Sequence, residues 1–164
     1  MRDWTGVEVQ EERTRLEHEA AAILGFMLFE YSRLDMELGL FLSWSDDGSL
    51  LENLTRKMGS LNFSKRLEYL QKSVTSKFDG NIEVLGAYAA WISEAHSIRE
   101  LRNELFHGRW GIDPIAQRVV NVVGLPNSPD QKSRPHTIEE LEEILNRMRH
   151  LRVQLRELRS SCPV

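Results

Sequence analysis

LEHEAAAILGFMLFEYSRLDMELGLF, running from Leu16 to Phe41, decides the fold class. Leu16, Ala20, Ile23, Met27, Tyr31, Leu34, Leu38 and Phe41 recur at steps of three and four, the spacing that lines one face of a helix. The pattern predicts one very long first helix over about residues 9 to 44, with Gly25 and Gly39 inside it as points of close packing or slight bending. Its longest apolar run, Ala20 to Phe29, is far short of the ~20 residues a membrane span requires, so it reads as a buried helical segment.

The same period continues downstream between breakers. Ser45-Asp46-Asp47-Gly48 ends the first helix, and its aspartates are expected to cap the second. Leu50, Leu51, Leu54 and Met58 give that short helix; Asn62 or Ser64 opens the next, with Phe63, Leu67, Leu70 and Val74 inward. After Asp79-Gly80-Asn81 comes a fourth helix, about 81 to 107, whose core side is expected to carry Ala87, Ala90, Trp91, Ile98, Leu101 and Leu105. His96, Arg99, Asn103 and His107 form a polar stripe on roughly the opposite side, flanked by Tyr88, Ile92 and Phe106. The period then shortens: a hairpin is expected over about 109–123, turning at Asp113-Pro114, and then a Pro-rich loop over about 124–136. Thr137-Ile138-Glu139-Glu140 has the form of a capping box opening a C-terminal helix over about 138–160, which buries Leu141, Ile144, Met148, Leu151, Leu155 and Leu158. The expected fold is therefore all-α: an antiparallel bundle of four to five helices with a small β-hairpin inserted before the last one.

A chain of 164 residues that is 41% hydrophobic is large enough for one domain, 1–164, with its own core. The N-terminus lacks a signal-peptide core, and the single cysteine, Cys162, has no internal partner, so a reducing cytoplasm is the expected setting. A net charge of −4 argues against a surface that grips nucleic acid everywhere, while leaving room for a local basic cluster or a protein partner.

The chemistry-bearing stretch is Arg102-Asn103-Glu104-Leu105-Phe106-His107, continued at once by Gly108-Arg109-Trp110-Gly111. Guanidinium holds phosphate oxygens in a planar fork, imidazole passes a proton near neutral pH, and an amide orients either one. Asn103 and His107 share a helix face, whereas Arg102 lies about 140° from His107 on an ideal helix. Gly108 is expected to close the helix in a left-handed C-cap. Arg109 and Trp110 are candidates to grip a phosphate and stack a base, against the plainer reading in which Trp110 packs on the helix end. His96 and Arg99 are secondary candidates for substrate contact. The basic late part of the last helix, with Arg147, Arg149, His150, Arg152, Arg156 and Arg159, matches the helix dipole and needs no ligand; the alternative is a surface for RNA or an acidic partner. Arg13 and His18 repeat the Arg-to-His spacing but sit near the charged start of the first helix, as solvated groups.

Arg-Asn-x-x-x-His at the end of a bundle helix resembles the signature of HEPN domains, and the helical pattern of roughly 11–107 and the final helix is similar too. The resemblance implies a homodimeric, metal-independent ribonuclease, as in toxin–antitoxin or phage-defence systems, with RNA as substrate and no cofactor. On that footing His107 moves protons, Arg102 stabilises charge on phosphorus and Asn103 holds the geometry. A neighbouring 2′-hydroxyl attacks, leaving a cyclic 2′,3′-phosphate and a free 5′-hydroxyl. The alternative is a non-catalytic HEPN-like module that binds a nucleotide or a partner protein such as an antitoxin. The inserted hairpin and the lack of a strongly basic surface depart from the family pattern. Glu104-x-x-His107 matches half of a di-iron bundle signature, but no second Glu-x-x-His occurs, so no metal is expected.

Overall fold

A computed structural model describes residues 4–164. Among the described residues five α-helices carry the fold: α1 (Gly6–Ser43), α2 (Leu51–Ser60), α3 (Phe63–Lys77), α4 (Ile82–His107) and α5 (Ile138–Ser161). Three strands, β1 (Arg109–Asp113), β2 (Arg118–Val123) and β3 (Lys132–His136), form an antiparallel sheet in the order β1-β2-β3 immediately before α5. The all-α class with a small sheet ahead of the C-terminal helix is thus as expected.

Most helix starts arise from local chemistry. Thr5 and Glu8 cap α1 reciprocally: the Glu8 amide donates to Thr5 Oγ1 at 3.2 Å, and the Thr5 amide donates to Glu8 Oε2 at 2.9 Å. Asn62 Oδ1 accepts from the Lys65 amide at 3.0 Å to open α3, and Asn81 Oδ1 accepts from the Val84 amide at 3.2 Å to open α4. Thr137 and Glu140 form the expected box at α5. The expectation for α2 needs correction. Its N-cap is Leu50, with no side-chain cap, and Asp46 instead reaches Lys77 Nζ at 3.3 Å. Asp46, Asp47 and Gly48 all have left-handed backbone (φ 51°, 53° and 76°), which turns the chain and carries the aspartates away from the helix start.

The chain divides into two compact units. The first comprises residues 4–29 and Glu100–Arg147, the second Glu30–Arg99 and Met148–Val164. In the second, Arg66 is the main polar tie. Its guanidinium donates to Met58 O (3.1 and 2.9 Å), to Asp35 O (3.0 Å) and to Asp35 Oδ1 (2.8 Å). Gly39 leaves the space this guanidinium occupies, since a Cβ there would lie 3.2 Å from Arg66 Nη1. Trp91 Nε1 donates to Leu151 O at 2.9 Å and the Tyr88 hydroxyl to Cys162 O at 2.6 Å. Burial pushes the Tyr88 phenol above its ordinary range. Arg152 pairs with Glu30 and with Glu37, and Arg156 with Glu37, so two cations of the late α5 cluster are held by carboxylates of α1. Although burial alone would raise it, these partners hold the Glu37 carboxyl below its usual value.

In the first unit, Leu16, Ala20, Ile23 and Met27 of α1, Leu105 of α4, Val119 of β2, and Leu141, Ile144 and Leu145 of α5 are all buried. Residues 109–123 form the expected hairpin. The loop assignment for 124–136 is corrected at its end, because β3 pairs Pro135 with Val120 and His136 with Val119. Proline is a strand breaker in the interior of a sheet but is admissible on an edge strand, which β3 is.

Candidate functional site

The site residues of the first unit are set by how α4 ends. The last four carbonyls of a helix have no partner within it. One of them, Leu105 O, receives two side-chain donors from the sheet: Trp110 Nε1 of β1 at 3.1 Å and Asn121 Nδ2 of β2 at 3.3 Å. Trp110 and Asn121 are register partners across the hairpin, so both reach the helix from one face of the sheet. On that face His136 is buried, with its ring 6.0 Å from the Trp110 ring. Its Nε2 is buried and makes no hydrogen bond among the described residues. Burial pushes the His136 imidazole below its ordinary value; Glu140 and Glu104 oppose this and Arg134 adds to it. Arg134 of β3 also pairs with Glu104 of α4.

Gly108 is not a left-handed C-cap. The glycines with positive φ are Gly48, Gly80 and Gly124. What Gly108 supplies is room: a Cβ there would lie 2.3 to 2.6 Å from the side-chain amide of Asn121. The helix is therefore closed by side chains of the sheet and not by a glycine conformation.

Arg102 and Asn103 are half-buried on α4. Arg102 Nη1 donates to Asn103 Oδ1 at 3.2 Å, and the guanidinium carbon stands 5.6 Å from the centre of the Phe106 ring. The amide oxygen of Asn103 thus accepts from the cation beside it. His107 is exposed at the last residue of α4. Helix periodicity sets Arg102 and His107 of one chain about 140° apart.

Arg109 is exposed, with its guanidinium donating to Gly124 O at 3.0 Å. Trp110 has its indole N–H on the α4 carbonyl and its ring against His136, the packing arrangement rather than an open stacking platform. His96 and Arg99 fall on the part of α4 that belongs to the second unit, and both are half-buried. There the expected faces of α4 are corrected. Tyr88, Ile92 and Ala95 are buried with Trp91 and Ile98, while Ala87 and Ala90 are exposed. The buried arc is rotated towards the larger side chains, which gain more from leaving water than two methyl groups do.

Sequence reasoning overlooked Asn121 and His136. The signal for Asn121 was a lone amide within Val119-Val120-Asn121-Val122-Val123, at a position that period two assigns to the buried face. Among the described residues no three His, Cys, Asp or Glu side chains are gathered to hold a metal ion, and no helix is long and apolar enough to cross a membrane. Neither a family model, nor a curated protein, nor a solved structure matches this chain.

Proposed function

We propose that this chain is a HEPN-like, metal-independent endoribonuclease acting as a cytoplasmic homodimer, in the manner of a toxin or phage-defence component. The observation that carries the proposal is the end of α4. There an exposed imidazole, His107, comes just after a guanidinium held by its neighbouring amide, Arg102 on Asn103, on a helix terminus tied to a sheet. In the reaction, imidazole accepts the proton of a 2′-hydroxyl as that oxygen attacks the adjacent phosphorus. The bond from phosphorus to the 5′-oxygen breaks, and the departing oxygen is protonated by an imidazolium. Guanidinium binds the phosphoryl oxygens, where negative charge grows in the transition state. Because Arg102 and His107 of one chain diverge around the helix, the working pair comes from two copies, Arg102 of one beside His107 of the other.

A second reading rests on Arg102 itself. Its guanidinium is half-buried and already engaged by Asn103 and Phe106, and the chain carries a net charge of −4. Both features suit a non-catalytic module that binds a nucleotide or a protein partner such as an antitoxin. One experiment separates the two. Purified protein is incubated with structured and unstructured RNA in chelator, beside His107→Ala and Arg102→Ala. Chelator-resistant cleavage with cyclic phosphate ends, lost in both variants, is the expected result. Nucleotide binding without cleavage in the wild type establishes the second reading, and equal cleavage in His107→Ala refutes the first.

A further inference from the structure

The sheet has a second face. Trp110 and Asn121 turn one face to the end of α4, and alternation along the strands sends their neighbours to the other. Arg109, Gly111 and Asp113 of β1 and Arg118 of β2 lie on that outer face, and all four are exposed. Its middle row consists of the register partners Gly111, Val120 and Pro135. Gly111 has no positive φ, and a Cβ there would meet nothing closer than Val120 O at 4.0 Å. Neither conformation nor packing within the chain calls for a glycine, so its effect is to keep the row low. Arg109 and Arg118 belong to the rows at either end of the sheet, four residue steps or about 13 Å apart along the strands.

Charge singles this sheet out. Between Arg109 and His136 stand four Arg or Lys and two Asp, whereas the whole chain has 21 Arg or Lys against 25 Asp or Glu. Arg109, Arg118 and Lys132 are exposed and make no ion pair among the described residues, whereas Arg134 is matched by Glu104. The acid of the outer face, Asp113, has its Oδ1 taken by the Ala116 amide at 3.0 Å. Gln117 Nε2 donates to Glu12 Oε1 at 3.1 Å, which ties the turn beside Arg118 to the start of α1.

The geometry points to this outer face as the surface on which an RNA strand lies. Its phosphates are held by Arg109, Arg118 and Lys132, and the strand crosses the low row of Gly111, Val120 and Pro135. Arg109 follows His107 by two residues, so their Cα atoms are at most about 7 Å apart and the track ends beside the imidazole. A docked protein would need a packed apolar centre, and this face offers two half-buried valines and a proline. A polyanion needs only unmatched cations on an open surface, and repulsion from an otherwise acidic molecule directs it here. Naming the strand RNA rests on the ribonuclease reading; the attraction for a phosphate backbone does not.

Fluorescence anisotropy of a labelled, unstructured RNA tests the surface, in a His107→Ala background so that the probe is not consumed. Arg118→Glu with Lys132→Glu should raise Kd at least about tenfold and reduce the slope of log affinity against log salt by roughly 1.4, at about 0.7 per phosphate contact of a single strand. Lys72→Glu with Arg159→Glu, two exposed positions of the other unit, makes the same change in net charge and should shift Kd less than about threefold. Gly111→Val alters no charge; it should weaken binding at least about fivefold by raising the low row, with the salt slope and the urea midpoint undiminished. Equal losses in the two charge pairs, an indifferent Gly111→Val, or no RNA binding by the parent would each overturn the assignment. The ribonuclease reading fails separately. Binding with this pattern in a wild type that cleaves nothing in chelator keeps the surface and loses the chemistry, and cleavage indifferent to the sheet pair does the reverse.

Discussion

Gly108→Ala is expected to destabilise the chain out of proportion to the single methyl group it adds. The backbone at Gly108 is not left-handed, so alanine is conformationally acceptable there, and in open space the change would stabilise by about 0.4–1 kcal/mol through the unfolded state. The space is taken. The new Cβ would lie 2.3 Å from Asn121 Nδ2 and 2.4 Å from Oδ1, and Asn121 is only 3% exposed. Relief requires the amide to swing away and give up its bond to Leu105 O. Losing that bond and stranding a buried amide costs about 1–3 kcal/mol, with about 1–3 more for overpacking. Set against the gain through the unfolded state, the net loss is therefore about 1–5 kcal/mol. Asn121→Ala alone should cost about 1–2 kcal/mol, because Trp110 Nε1 still serves Leu105 O. In that background Gly108→Ala should become neutral or mildly stabilising, since the methyl group enters the space the amide has left. Urea denaturation monitored by circular dichroism measures all four corners of the cycle. Additive effects, or a Gly108→Ala chain as stable as wild type, would refute the account of how α4 is closed.

Three further outcomes are expected. His136 is held neutral by burial, so it takes up a proton more readily unfolded than folded; stability is full above the ordinary histidine value of 6.5 and falls as pH drops below it. His136→Gln should flatten that decline in urea midpoints between neutral and mildly acidic pH, and an unchanged slope would assign it to other groups. Arg66→Met should cost about 2–4 kcal/mol in denaturant unfolding, because Met58 O and the backbone of Asp35 lose their donor together; a loss below about half a kcal/mol would make the tie dispensable. Glu37 is held ionised by Arg152 and Arg156, so its contribution is present above the unfolded carboxylate value of 4.5 and is lost as pH falls towards and through the lower folded one. Glu37→Gln should therefore lower stability at neutral pH and less so in acid, and an equal loss at both would count against the ion pairs.

Arg102, Asn103 and His107 were legible because they are close in the chain, where residue type and helix spacing suffice to nominate chemistry. Asn121 was not, because its importance comes from Leu105 and Gly108, more than ten residues earlier in the chain. Trp110 was legible as a residue of consequence, but two uses remained open until its indole N–H was seen on Leu105 O.

From residues alone came the helices, the capping box at Thr137, Asn62 as one of two candidate openings of α3, and the first hairpin. Each depends on bonds between groups within a few positions of one another, so local order in the chain already contains them. Tertiary structure decided which arc of α4 is covered, that β3 pairs despite Pro135, and that Gly108 is needed for space and not for conformation. Those outcomes turn on which distant side chain arrives at a given surface, and a side chain's volume or hydrogen bond has consequences only where a neighbour meets it.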